Sequence, residues 1–419
     1  MKKAPSTVSE SLLRKSAWTD PNRVDDLAKK PAVGWRGGLK LFTLAFVSLS
    51  GVAALEGALK IGSDAVLTTE VQGVAEYHSN VFRRDKGLEV ILPVEDDWIR
   101  EGRVRFNLSN DTEESAGQAR LTSGVRQLWF SENSQLDTAL FDIEGLIGYE
   151  GARVRSSLSS FYVENSLPDE DLRDDTGLLD RSNFKVNWDT TYQMTGASIF
   201  KFRADYSDIT YEDPPNRDFN DRSSYGVNTK LLFDATSRFN VGLGGKARWY
   251  SVDIGSDWED AAMFLSVEAD VAADFELEAN LGYGSQSFDM IGIESKDSVF
   301  AAISAKWNPT ADTDLGVGFE KDFDSGGTGN ALEYSRAEGF WRWRVSNALT
   351  VDTRAIYLER SYQANEREDN ILRTTAALRW DGEGQWFGEF RLSYDENDSS
   401  ILGFSYEDFV TRLMAGYRW

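Results

Sequence analysis

Apolar and polar residues alternate with period two over most of the chain, its connections sort by length, and its last stretch ends on an aromatic residue. Together these features predict an all-β protein: a transmembrane antiparallel up-and-down β-barrel of about 18 strands, with about 16 as the alternative count.

The alternation is explicit from Val66 onward. Gly102, Val104, Phe106 and Leu108 share one side, and Arg103, Arg105, Asn107 and Ser109 the other. Val241, Leu243, Gly245, Ala247 and Trp249 oppose Lys246 and Arg248, while Trp341, Trp343 and Val345 oppose Arg342 and Arg344. Trp386, Gly388, Phe390, Leu392 and Tyr394 likewise oppose Glu389 and Arg391. This is a sheet with one wet face and one apolar face. No segment keeps an amphipathic helical period for three turns.

Soluble sandwiches alternate in the same way, so the connections decide. Short turns fall at 149–153, 193–197, 234–238, 272–276, 308–312, 345–349 and 381–385. The intervening connections, 78–88, 164–182, 207–223, 251–260, 284–297, 321–331, 358–370 and 395–407, are mostly long and polar. Outer-membrane barrels have tight periplasmic turns on one rim and longer external loops on the other, whereas a sandwich has no reason to sort its loops. Between turns lie roughly 9–13 residues, enough to cross the apolar band at a tilt of about 45°. The connections before residue 150 are less regular; strands are expected there at 66–77, 89–109, 117–130 and 136–149.

Composition is consistent with this. The mean hydropathy of −0.43 excludes a bundle of membrane helices, which needs runs of about 20 apolar residues. It is compatible with a barrel, where only alternate residues meet lipid. The chain of 419 residues has no cysteine, which removes disulfides and thiolate metal sites. A formal charge of −24 argues against a nucleic-acid partner, which requires a basic surface.

Residues 1–58 read as a leader. The uncharged run Leu41–Leu55 follows Lys29, Lys30, Arg36 and Lys40, and small residues occupy 50–54. This is the layout of a secretory signal, with cleavage expected between Ala53 and Ala58, and the run is short for an uncleaved span. Residues 59–419 form the expected barrel.

Aromatics gather near the predicted strand ends. Tyr192, Phe239, Trp307, Trp380, Trp386 and Trp419 lie close to the short-turn rim, and Tyr77, Tyr162, Tyr206, Trp249, Tyr283, Tyr357 and Tyr394 close to the long-loop rim. Of these, Tyr192, Trp249, Trp307, Trp380, Trp386 and Trp419 are the expected membrane-interface residues, because amphipathic rings prefer the headgroup level. The last strand places Phe409, Leu413, Ala415, Tyr417 and Trp419 on one face. A final strand ending on an aromatic resembles the sorting signal read by the outer-membrane barrel assembly machinery, which is therefore an expected partner alongside outer-membrane lipid.

The opening Val74-Ala-Glu-Tyr-His-Ser-Asn-Val-Phe-Arg83 resembles that of the putative β-barrel porin 2 family, which carries a similar Tyr-x-Ser-Asn-Val-Phe-Arg element. The likeness is sharp over Tyr77–Arg83 and one of pattern and length over residues 66–419. A histidine at 78 is a departure from the small or acidic residue usual there. The resemblance implies the outer membrane of a Gram-negative bacterium and an association with exopolysaccharide export, with export components as further partners.

Catalytic motifs are scarce. His78 is the single histidine, beside Ser79, and reads as part of the opening element rather than as the base of a nucleophile pair. No P-loop, dinucleotide fingerprint or zinc motif occurs, and Gly242-Leu-Gly-Gly245 sits within a strand as a packing or bend feature. The acidic stretches 168–181 (six acids, two bases) and 208–222 (five acids, two bases) lack calcium-loop spacing and read as a solvated, repulsive exterior, with cation bridging to lipopolysaccharide as the alternative. No cofactor or metal is expected.

The face opposite the apolar one is the expected lumen. It carries Arg103, Arg105, Arg203, Arg248, Arg342, Arg344, Arg354, Arg373, Arg379, Arg391 and Arg412, with Glu101, Asp205, Glu268, Asp270, Asp352 and Glu389. Basic rings would favour an anionic solute or polymer; paired charges would instead stiffen the wall. The expected function is a porin-like passive conduit for hydrophilic solutes or exopolysaccharide. The rival is a non-conducting scaffold for a surface layer or export complex. An enzyme is poorly supported.

Overall fold

The computed structural model describes residues 59–61 and 65–419, except 86–93, 111–116, 167–179, 212–220, 254–255, 273, 290–294, 327–329, 364–365 and 383. The leader with its cleavage region, and most of the two acidic stretches, lie outside the described residues.

A short strand β1 (Leu59–Ile61) pairs with the start of β2 (Ala65–His78). The wall continues through β3 (Asp97–Ser109), β4 (Gly117–Phe130), β5 (Thr138–Glu150), β6 (Val154–Asn165) and β7 (Arg181–Thr195). Next come β8 (Ser198–Tyr211), β9 (Arg222–Thr236), β10 (Phe239–Val252), β11 (Trp258–Ala272), β12 (Phe275–Phe288) and β13 (Lys296–Thr310). The last six are β14 (Thr313–Ser325), β15 (Ala331–Ser346), β16 (Leu349–Tyr362), β17 (Glu368–Asp381), β18 (Trp386–Ser399) and β19 (Tyr406–Arg418). Each strand from β2 to β19 pairs antiparallel with its successor, and β19 pairs back onto β2, with Val410 opposite His78 and Arg418 opposite Glu70. The result is the expected closed up-and-down barrel of 18 wall strands. Closure leaves no backbone edge to desolvate, which is why a sheet can stand in lipid.

The strands outrun the sequence expectation. They span 12 residues (β6) to 16 (β15), because the ladder continues past the apolar band on the long-loop side. There β8 runs to Tyr211 and β9 begins at Arg222, inside a stretch expected to be loop. Backbone pairing needs no apolar face once the strand leaves the lipid, so hydrophobic alternation stops before the hydrogen bonds do. At the other extreme, the strand expected from 89 begins at Asp97. Its buried carboxylate accepts backbone N–H bonds from Ser131 at 3.0 Å, Glu132 at 3.1 Å and Asn133 at 3.2 Å, pinning the β4–β5 connection to the strand start.

The two faces differ as membrane insertion requires. One exposes large apolar side chains, including Met263 (77% exposed), Val317, Leu243 and Leu265. On the other, packing is local. After β2 the chain tucks back so that Val81 is buried among Ile99, Leu128, Phe130 and Leu140. A second cluster joins Ala262, Phe264 and Phe300. Gly244 of β10 makes room for the second, since a Cβ there would lie 2.2 Å from the Phe264 ring; at Gly242 a Cβ would lie 1.9 Å from the Leu231 carbonyl oxygen. These close approaches make the glycines at 242 and 244 positions of tight packing, with the β10 register unbroken through them.

Candidate functional site: the inner wall

Contacts between non-neighbouring strands identify the inner face. Lys201 on β8 reaches Glu268 on β11 at 2.6 Å, Lys230 on β9 meets Glu278 on β12, and Lys246 on β10 meets Asp322 on β14. Strands lie about 4.8 Å apart along a sheet, so side chains three or four strands distant can meet only on its concave side. Directly paired residues of an antiparallel ladder point the same way. The parity therefore travels around the wall: Asp322 pairs with Tyr334, Arg342 with Asp352, Arg379 with Glu389, Arg391 with Arg412, and Arg412 with Glu76.

All eleven arginines named from the sequence share this parity, and each lies within salt-bridge distance of a carboxylate. Arg103 is 2.9 Å from Glu101 and Arg105 3.7 Å from Asp142. Arg203 is 2.5 Å from Asp189, and Arg248 lies 3.0 Å from Asp260 and 3.1 Å from Asp322. Arg342 meets Asp352 at 2.8 Å, Arg344 meets Asp312 at 3.9 Å, and Arg354 meets Glu338 at 2.8 Å. Arg373 is 3.2 Å from Asp395, and Arg379 bridges Glu389 at 2.9 Å and Asp352 at 3.1 Å. Arg391 takes the other oxygen of Glu389 at 2.7 Å, and Arg412 approaches Glu76 at 3.6 Å.

This pairing alters the electrostatics expected from counting arginines. Each guanidinium field is opposed by a carboxylate within a few ångströms, so the wall is a mosaic of dipoles rather than stacked basic rings. Sequence reasoning named Asp352, Glu389 and Glu101 but missed Glu76, Asp142, Asp189, Asp260, Asp312, Asp322, Glu338 and Asp395. Except for Asp312, which lies in the β13–β14 turn, their period-two parity was readable, but their partners on other strands were not. It also passed over Lys201, Lys230 and Lys246 as lumen anchors.

The six aromatics named for the interface occupy the opposite parity. Tyr192, Trp249, Trp307, Trp380 and Trp386 are all exposed large side chains, and Trp419 is half-buried. Tyr417 stands edge-on to Trp386, with centroids 5.0 Å apart, and tilted to Trp419 at 5.3 Å. The Trp307 indole N–H donates to Asp274 at 3.3 Å.

His78 occupies the seam between first and last wall strands. Its two ring nitrogens face Asp408 and Glu76, while Ser79 Oγ accepts from the Phe409 backbone N–H at 2.8 Å. Neither ring nitrogen faces Ser79, so the two residues do not form a nucleophile–base pair.

Residues 267–418 match the family described as putative beta-barrel porin 2. That match, on a closed barrel of 18 wall strands with an apolar outer face, supports a porin-like barrel in the outer membrane of a Gram-negative bacterium. Among solved structures, this barrel is similar to OccK2 (OpdF) of Pseudomonas aeruginosa, with a TM-score of 0.45 and 12% identity, over 85% of this chain and 97% of that chain. It is similar also to the outer-membrane protein OpdK of Pseudomonas aeruginosa, with a TM-score of 0.44 and 15% identity, over 84% of this chain and 98% of that chain. No curated protein sequence matches it.

Proposed function

We propose that the barrel is a passive conduit for hydrophilic solutes, and that the eleven arginines and their carboxylates line the path. The observation that carries this reading is the contrast between the two faces. One exposes bulky apolar groups, and the other carries ion pairs around nearly the whole circumference. Charges on a lipid-facing wall would cost about 2–4 kcal/mol each at the midplane, so so many of them require water on their side. A wall of 18 strands encloses enough cross-section for an aqueous channel.

Hydrophilic cargo includes a polysaccharide chain, whose hydroxyls would exchange hydrogen bonds with the same mosaic of guanidinium and carboxylate groups. In this reading export components act as partners at the rims, and the six outward-facing aromatics anchor the wall at headgroup level. The last strand, Tyr406–Arg418 with Trp419, is the segment offered to the barrel assembly machinery.

The test is electrical. Purified barrel in a planar bilayer should show steady ohmic conductance. Complete silence, with the barrel verified as folded by heat-modifiable mobility, would overturn the conduit and leave a scaffold whose external loops are the working surface.

A further inference from the structure

The three long-span lysine contacts form a diagonal row. From β8–β11 to β9–β12 to β10–β14, each step moves one strand along on the lysine side. A cross-link joins the first two pairs, Lys230 Nζ being also 3.7 Å from Glu268, and Lys246 Nζ lies 3.8 Å from Asp260 as well. Measured along a sheet, three strand spacings are about 14 Å and four about 19 Å. A lysine and a carboxylate can close such a span only if the wall folds back on itself there.

Packing agrees with a folded-in wall. Phe264 and Phe300, both nearly fully buried, sit behind the row with ring centroids 5.1 Å apart. Lys246 Nζ stands 4.5 Å from the Phe300 centroid, a cation–π contact that holds the ammonium over the apolar patch. The side chains of Lys246 and Asp322 are 8% and 7% exposed, so this pair is screened little by water. A recess of about 520 Å³ remains beside the row, bordered by Arg203, Asn228, Asn280 and Glu320.

We propose that Lys201, Lys230 and Lys246 set the calibre of the bore, acting as struts that draw β8–β10 toward β11–β14 and narrow the channel. The proposal rests on the conduit reading and adds the residues that decide which solute sizes pass. Neighbour-strand ion pairs such as Arg342–Asp352 cannot do this, because they join strands already held by the ladder. Removing one partner alone would strand a buried charge and endanger folding. The test therefore removes both.

The paired variants Lys201→Met/Glu268→Gln and Lys230→Met/Glu278→Gln, combined in one chain, would be compared with wild type in planar bilayers. Single-channel conductance and the largest polyethylene glycol that enters the pore are the readouts. Conductance should rise on the order of 1.5-fold, and larger polymers should enter. Because the chain lacks cysteine, Lys230→Cys/Glu278→Cys can be bridged by a short thiol cross-linker. The bridged protein should keep wild-type calibre and the unbridged protein the wider one. Folded variants with wild-type conductance and cut-off would overturn the proposal while leaving the conduit intact. If the charge-free chain does not assemble, the bridged and unbridged cysteine pair decides by the same comparison. Silence of wild type and variants alike, each verified as folded, would overturn the conduit reading itself and not the struts alone.

Discussion

His78 Nδ1 lies 2.8 Å from Asp408 Oδ2, which joins the end of the first wall strand to the start of the last. Nε2 of the same ring is 2.7 Å from Glu76, so each nitrogen faces a carboxylate and each must carry a proton to donate. Around this imidazolium the opening element forms a clasp. The Asn80 backbone N–H donates to Asp408 at 3.1 Å, and Asn80 Nδ2 donates to the carbonyls of Arg84 at 2.8 Å and Glu407 at 3.1 Å. Arg83 crosses to Asp395 at 2.8 Å, and the Gly403 N–H donates to Asp85 at 2.9 Å. The segment that resembles the family's opening thus works at the closure of the cylinder.

Replacing His78 by Ala leaves Asp408, which is 2% exposed, without its cation. The expected loss is about 3 kcal/mol, the lower end for breaking a buried ion pair. His78→Gln should recover part of it, because an amide can donate to one of the two carboxylates. Urea titration of the heat-modifiable band would measure both, and a wild-type midpoint for His78→Ala would show that the clasp is not a source of stability.

Removal of Tyr417–Trp419 should reduce assembly and leave unfolded chain in the periplasm. The deletion takes away the Trp386–Tyr417 ring contact and the Arg418–Glu70 bond of 2.6 Å. It also removes both backbone bonds between Thr69 and Trp419, at 2.9 and 3.0 Å. Unchanged yields of folded barrel in outer-membrane fractions would refute the role assigned to this strand end.

Charge reversal tests which residues meet the solute. Combining Arg342→Glu, Arg344→Glu and Arg373→Glu should move the reversal potential toward cations in a salt gradient. The side chains of Arg342 and Arg344 are more than half exposed, so losing their ion pairs costs only about 0–1 kcal/mol each, and the barrel should still fold. Because every one of these arginines is opposed by an acid, the wild-type preference for anions should itself be small. Conductance indifferent to the triple reversal would remove these residues from the path.

Parity was legible in the sequence because it is local. Arg342 and Arg344 must oppose Trp341 and Trp343 wherever that strand sits, since successive side chains of a strand alternate faces. The sorting of connections into two length classes likewise reported closed up-and-down topology, because each rim has its own solvent and length constraints. Strand ends on the long-loop side were less legible. At Tyr211 and Arg222 the ladder runs through sequence that lipid does not constrain, so no hydrophobic period marks it.

Tertiary structure alone decided the partners. Arg342 with Asp352 is a neighbour-strand contact that register supplies. Lys246 with Asp322, 76 residues apart, joins β10 to β14 and exists only because the wall curves enough to bring strands four positions apart within reach. A one-dimensional pattern specifies which face a side chain takes. Curvature, which brings strands three and four positions apart into contact, is a collective property of all the strands that share the wall.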